Sequence, residues 1–94
     1  MTEKAEELTV NYGEGDQRIV EELDKQILSK GSWTTILFRY REWDPKKEAF
    51  GDDKYTIRRY QKRGGEYRQQ SKFNISSRDQ ARQITETLTR WLGQ

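Results

Sequence analysis

The sequence predicts an α+β fold in which a four-stranded antiparallel sheet is followed by one C-terminal helix packed on one of its faces. Alternating β-branched and aromatic side chains at residues 33–43, 55–62 and 67–75 are typical of strands. Gly64-Gly65 separates the last two runs, and an amphipathic stretch that begins with a capping sequence completes the chain. With 94 residues there is one domain, because two halves would each be too small to bury a useful core.

The composition lies near the lower limit for a folded globule, with 31% apolar and 36% charged residues. Either part of the chain is disordered or a second subunit supplies the missing core. Residues 1–17 are acidic, contain Gly13 and Gly15 and have little apolar content, so we expect them to form a flexible acidic tail. A single ββββα domain is then expected over residues 18–94.

Charge is distributed unevenly along the chain. Residues 1–24 contain eight acids and two bases, whereas residues 25–94 contain sixteen bases and eight acids. Within residues 54–72, seven bases stand against Glu66 alone. A basic region of this kind predicts a polyanionic partner.

The first strand is expected at residues 25–30, ending at the turn Gly31-Ser32, and residues 18–24 fit either a short helix or a strand. The clearest strand is residues 33–43. Its even positions form an apolar face of Thr34, Ile36, Phe38 and Tyr40. Its odd positions form a mixed basic and aromatic face of Trp33, Thr35, Leu37, Arg39, Arg41 and Trp43.

The last two strands are expected to form a hairpin with Ile57 and Phe73 facing the core. Tyr55 and Ile75 would accompany them. The opposite face would then carry Thr56, Arg58, Tyr60, Lys62, Arg68, Gln70, Lys72 and Asn74. A two-residue Gly-Gly loop would set Ile57 opposite Lys72, so a three-residue loop, Gly64-Gly65-Glu66, is expected instead.

The C-terminal helix is expected to be capped by Ser77, with Gln80 completing a capping box, and to stop at Gly93. Its apolar residues recur at helical spacing and form one stripe. They are Ala81, Ile84, Leu88, Trp91 and Leu92.

The absence of cysteine and histidine excludes disulfides, thiolate nucleophiles and the usual general base. We therefore expect neither an enzyme nor a bound cofactor or metal; Asp52-Asp53 offers too few ligands for a cation site. No apolar run is long enough to span a membrane, and the start of the chain lacks the order of a secretory signal. An intracellular, cytoplasmic protein is expected.

A single helix covers only one face of a sheet, so the other face meets water, a partner or a ligand. The bases there would neutralise phosphates, and the interleaved aromatic rings would stack on unpaired bases. Arg58 opposite Lys72 places like charges together, a repulsion that a bound anion would relieve. The nucleic-acid-binding residues expected are Arg39, Arg41, Trp43, Arg58, Tyr60, Lys62, Arg68 and Lys72. The alternative is a merely solvated polar face.

The segment Tyr55-Thr56-Ile57-Arg58-Arg59-Tyr60, the glycine turn, Ser71-Lys72-Phe73-Asn74-Ile75 and the helix that follows resemble the single-stranded-DNA-binding regulator superfamily. This superfamily comprises the positive cofactor four, whirly and PUR-alpha types, and the resemblance covers about residues 25–92. It implies a dimerising strand-strand-strand-strand-helix unit that binds single strands on its sheets. Arg58 and Lys72 best match the superfamily's binding strands, and Tyr60 matches by position.

These observations predict a homodimeric protein that binds single-stranded nucleic acid, with DNA favoured, and that acts in transcription or DNA maintenance. Trp91 and Leu92 are expected at or beside the dimer seam, Trp33 is a further seam candidate, and Trp43 is the better stacking candidate. The alternative function is a protein-interaction module that binds an acidic partner and has no nucleic-acid role.

Overall fold

A computed structural model of the protein describes residues 4–93. The chain forms a curled antiparallel sheet and one C-terminal helix, so the α+β class agrees with the prediction, but the four-stranded sheet was wrong because the sheet has six strands. After a single 3-10 turn at Ala5–Glu7, the elements are β1 (Tyr12–Glu14), β2 (Gln17–Ser29), β3 (Trp33–Asp44), β4 (Ala49–Phe50), β5 (Lys54–Arg63), β6 (Glu66–Ile75) and α1 (Arg78–Leu92).

The strands lie in the order β1-β2-β3-β5-β6, and β4 pairs only with the end of β3. The four predicted strands correspond to β2, β3, β5 and β6. Strand β2 starts at Gln17, so the ambiguous residues 18–24 are strand. The two unpredicted strands, β1 and β4, have three and two residues, too few for a recognisable alternation. Strand β6 is a free edge of the sheet.

The core lies on one side of the sheet, which we call the inner face; the other side is the outer face. The inner face contains the predicted even positions of β3, all of them buried. The side of β5 that faces the core is the opposite of the one predicted. Thr56 pairs with Phe38 on the inner face, whereas Ile57 pairs with Leu37 on the outer face. The buried residues of the inner face are Thr34, Ile36, Phe38, Tyr40, Thr56, Tyr60 and Tyr67.

A buried threonine is tolerated in β5 because its hydroxyl is hydrogen-bonded. Thr56 Oγ1 lies 2.7 Å from Asn74 Oδ1 and 3.3 Å from the carbonyl oxygen of Phe73. Two tyrosines in phase with it, Tyr60 and Tyr67, contribute far more apolar surface to the inner face.

The N-terminal segment, residues 4–11, covers the inner face. Ala5, Leu8 and Val10 are buried in the same cluster as Ile36 and Phe38. The prediction of a flexible acidic tail over residues 1–17 is therefore wrong for residues 4–17, which form this segment, β1 and the start of β2. Residues 1–3 lie outside the described part of the chain. The sequence did not reveal this packing, because the three apolar side chains lie among many acids and do not recur at a helical or strand spacing.

Polar contacts hold the N-terminal segment to β2. Lys25 Nζ donates to the carbonyl oxygens of Glu6 (2.6 Å) and Leu8 (2.7 Å). The Glu22 carboxylate accepts from Thr9 Oγ1 at 2.5 Å, and the Glu22 N–H donates to Asn11 Oδ1 at 2.7 Å. Glu6 also forms an ion pair with Lys30. These bonds satisfy backbone groups that a covering loop would otherwise leave without partners.

The β5–β6 hairpin has the predicted pairing but not the predicted loop. Ile57 lies opposite Phe73 and Arg58 opposite Lys72, as expected. The turn contains only Gly64 and Gly65, both with positive φ, as a tight two-residue hairpin turn requires. A β-bulge at Gln70, between the pairs Arg59–Ser71 and Tyr60–Gln69, absorbs the extra residue that the prediction had assigned to the loop.

Helix α1 is capped by Ser77 and ends at Gly93 as predicted, but the Gln80 side chain accepts from the Ser76 N–H at 2.7 Å, so the predicted capping box with Ser77 is not formed. Gln80 N–H donates to Ser77 Oγ at 3.0 Å, and Gly93 ends the helix with φ 81°. The prediction that the helix packs on a face of the sheet was wrong, because no residue of α1 is buried and Trp91 is 75% exposed. The N-terminal segment already occupies the inner face. Within residues 4–93, no helix has the length and apolar character needed to cross a membrane.

The buried position of Leu8 predicts that Leu8→Ala lowers the free energy of unfolding by about 2–5 kcal/mol, because a cavity opens in the core. Leu28→Ala is the matched control, since Leu28 is 54% exposed. Urea unfolding followed by circular dichroism measures both variants. Equal stabilities of the two variants would contradict the packing of the N-terminal segment.

Candidate nucleic-acid interface

The eight predicted binding residues are divided between the two faces of the sheet. Cross-strand partners share a face, so the pairing of β3, β5 and β6 fixes each position. The inner face carries Arg58, Tyr60, Lys62 and Lys72. The outer face carries Arg39, Arg41, Trp43 and Arg68. The structure therefore does not bring all eight together. The side of β5 that carries Arg58 lies on the same face as the buried even positions of β3, and the bulge at Gln70 places Arg68 on the opposite face from Lys72.

Arg41 and Trp43 are engaged within the fold. Arg41 pairs with Glu21 at 2.6 Å and its guanidinium lies 4.2 Å from the centre of the Phe50 ring. The Trp43 ring meets Phe50 edge to face at 5.3 Å. These contacts attach β4 and β2 to the end of β3. Arg39 similarly pairs with Asp53 at 3.5 Å, so both outer-face arginines of β3 are already neutralised.

The inner-face bases of the β5–β6 hairpin form a second group, Arg58, Lys62 and Lys72, which we call the inner strip. Arg58 Nη1 donates to Gln69 Oε1 at 2.9 Å, and Lys62 lies 5.5 Å from the centre of the Tyr67 ring. Within residues 4–93, none of the three forms an ion pair with a carboxylate. Arg58 and Lys72 are direct cross-strand neighbours, so their like charges repel.

Tyr60 belongs to the core rather than to an exposed stacking surface, because only 5% of it is exposed. Burial raises the pKa of its phenol above the ordinary value; the Arg58 charge opposes this rise and Glu22 adds to it. Tyr67 is buried beside it and donates to the carbonyl oxygen of Gly31 at 2.9 Å. In this conformation a nucleobase has no access to the face of either ring.

Charge pairing separates the hairpin from the rest of the sheet. Apart from Arg18, the bases of residues 17–44 pair with carboxylates, in Lys25–Glu22, Lys30–Glu6, Arg39–Asp53 and Arg41–Glu21. Lys54, the first residue of β5, pairs with Glu42. In the described part of the chain, six bases of the hairpin have no such partner: Arg58, Arg59, Lys62, Arg63, Arg68 and Lys72. The positive potential is therefore concentrated on the hairpin.

Sequence reasoning missed Arg59 and Arg63, which belong to this unneutralised set. The Arg59 guanidinium lies 4.6 Å from the centre of the ring of Trp33, which the sequence offered only as a seam candidate. The contact between Arg59 and Trp33 depends on the pairing of β3 with β5, and this pairing has no signature in the local sequence. The excess of bases in residues 54–72 was the available signal.

The acidic loop before β5 offers no metal centre. Asp53 is paired with Arg39, and residues 4–93 contain no group of three or more carboxylates able to hold a cation. Comparisons with protein-family models, curated proteins and solved structures found no match to this chain. The function is therefore inferred from the charge and geometry of the hairpin and from the sequence resemblance.

Proposed function

We propose that the protein binds single-stranded nucleic acid, DNA in the first place, and that the inner strip contacts the phosphates. One observation carries the proposal: Arg58, Lys62 and Lys72 lie on adjacent strands without any carboxylate partner among residues 4–93. Folding holds these charges together against their repulsion. A polyanion lying across the strands removes that repulsion and gains affinity by releasing counterions.

The shape of the surface favours an extended strand. Strands β5 and β6 have ten residues each, and β6 is an open edge, so a backbone can lie along them without meeting a neighbouring strand. The sequence resemblance supports the same surface, since Arg58 and Lys72 match the superfamily's binding strands. We extend this to membership of that superfamily and to a role in transcription or DNA maintenance. If oligonucleotides do not bind in the salt titration described below, an acidic protein partner becomes the favoured alternative.

We also propose that the protein forms a homodimer. Helix α1 exposes Leu88 and Trp91, and the outer face carries a second apolar set, in which Phe73 is half-exposed and Leu37, Ile57 and Ile75 are half-buried. A 15-residue helix is about 22 Å long, enough to lie across several strands. A second copy supplies a helix of the same kind, and reciprocal packing buries both surfaces of both chains.

The inner strip predicts a specific salt dependence. Each phosphate contact removed makes the slope of log affinity against log salt shallower by about 0.7 for a single strand. Arg58→Gln/Lys72→Gln should therefore lower the slope by about 1.4, with weaker binding at low salt. Lys46→Gln/Lys47→Gln removes two charges from the exposed loop after β3 and is the matched control. Fluorescence anisotropy with an oligothymidylate at several salt concentrations measures both.

Unchanged affinity and slope in the folded Arg58→Gln/Lys72→Gln protein would overturn the proposed function. So would equal losses in that variant and in the control, because the binding would then depend on net charge alone.

The dimer predicts that Leu88→Glu yields a monomer in sedimentation equilibrium at tens of micromolar, because the charge would be buried in the seam. Thr89→Glu places the same charge one residue further along, outside the apolar stripe, and should leave the dimer intact. A monomeric wild-type protein would contradict the proposed assembly.

A further inference from the structure

The outer side of the β5–β6 hairpin carries a second group of unneutralised bases, close to the glycine turn. It consists of Arg59, Arg63 and Arg68 together with Trp33, and we call it the outer patch. Trp33, Gln61 and Arg68 are aligned across three adjacent strands, β3, β5 and β6. No ion pair among residues 4–93 involves any of the three arginines.

Two contacts organise the outer patch. The Arg59 guanidinium stacks over the Trp33 ring at 4.6 Å, and Trp33 remains 41% exposed. Arg63 Nε donates to Gln61 Oε1 at 3.1 Å, which holds that guanidinium beside the aligned row. Glu66, the hairpin's only acid, lies opposite Arg63 in the register but forms no ion pair within the described residues.

This chemistry fits a ligand that has both negative charges and flat rings. Nucleobases stack on indole rings and on guanidinium planes, and the neighbouring arginines bind phosphates. An acidic peptide would neutralise the arginines but would make no use of the Trp33–Arg59 stack. The outer patch therefore favours a nucleic acid over an acidic protein.

The free edge of β6 connects the two surfaces. Lys72 and Arg68 lie on opposite faces of β6, four residues apart, which is about 13 Å along the strand. No strand of residues 4–93 covers this edge, and α1 starts at the other end of β6, away from the glycine turn. The apolar outer-face residues assigned to the dimer lie towards the α1 end of the hairpin, whereas the outer patch lies towards the glycine turn, so a partner helix packed on the first set need not cover the second.

We propose that a single nucleic-acid strand passes round the edge of β6, contacting the inner strip first and the outer patch beyond it. This inference rests on the proposed function and extends it to a binding surface on the second face of the sheet. Short strands occupy the inner strip alone, whereas longer strands also reach Arg59, Arg63 and Arg68 and stack on Trp33.

The test compares oligothymidylates of about five and about fifteen nucleotides, a range that spans typical site sizes. Arg59→Gln/Arg63→Gln/Arg68→Gln should make the salt slope for the longer strand shallower by about 2, and leave the short strand's slope unchanged. Arg58→Gln/Lys72→Gln should weaken both strands. Lys46→Gln/Lys47→Gln is again the control, and circular dichroism verifies folding of each variant.

Tryptophan fluorescence gives a second readout that does not remove charge. The longer strand should quench the wild-type protein more than the short strand does, and Trp33→Phe should abolish that difference. If the outer triple variant binds the longer strand with wild-type affinity and slope, the inference is overturned while the proposed function stands. Equal weakening of both strands also contradicts it. Wild-type binding by the inner variant would instead remove the proposed function itself.

Discussion

The packing of Ala5, Leu8 and Val10 against the inner face is the interaction on which the rest of the architecture depends. With 31% apolar residues, the chain has few side chains available to cover its sheet. The N-terminal segment takes the position that a helix would otherwise fill, and Lys25 fixes it through two carbonyl oxygens. Because the inner face is already covered, α1 remains exposed and Phe73 on the outer face stays half-exposed.

The bulge at Gln70 has a comparable effect on the charged surface. Successive side chains of a strand point to opposite faces of the sheet, so one inserted residue exchanges the faces of all side chains on one side of the insertion. From Lys72, which faces inward, uninterrupted alternation would also direct Arg68 inward and leave Tyr67 outside. With the bulge, Tyr67 completes the core and Arg68 joins the outer face. A single extra residue therefore moves Arg68 to the outer face, where it joins Arg59 and Arg63.

Features encoded locally could be predicted from the sequence. The strand at residues 33–43 and its buried even positions follow from alternation, and the ends of α1 follow from Ser77 and Gly93. The opposition of Arg58 and Lys72 followed from matching apolar positions across the hairpin, even though the loop was assigned wrongly. A three-residue loop without a bulge and a two-residue turn with a bulge at Gln70 give the same pairing from Arg59–Ser71 to the far end of the hairpin.

Features that depend on distant partners could not be predicted. Ile57 is more apolar than Thr56, so hydrophobicity alone directed Ile57 inward, whereas Tyr60 and Tyr67 determine the buried side. Within the candidate site, the excess of bases was visible in the sequence, but their neutralisation was not. Arg39 and Arg41 proved to be paired with Asp53 and Glu21, contacts that arise only after the strands align.

Nuclear magnetic resonance of the 15N-labelled protein, titrated with an oligothymidylate, locates the binding surface residue by residue, because each backbone amide reports on its own surroundings. If the hairpin binds the strand, the largest chemical-shift changes fall on β5 and β6, around Arg58, Lys62 and Lys72. Changes confined to the acid-paired end of β3, around Arg39 and Arg41, would contradict the assignment of the binding surface to the hairpin. Saturating oligonucleotide with no shifts at all would contradict the function.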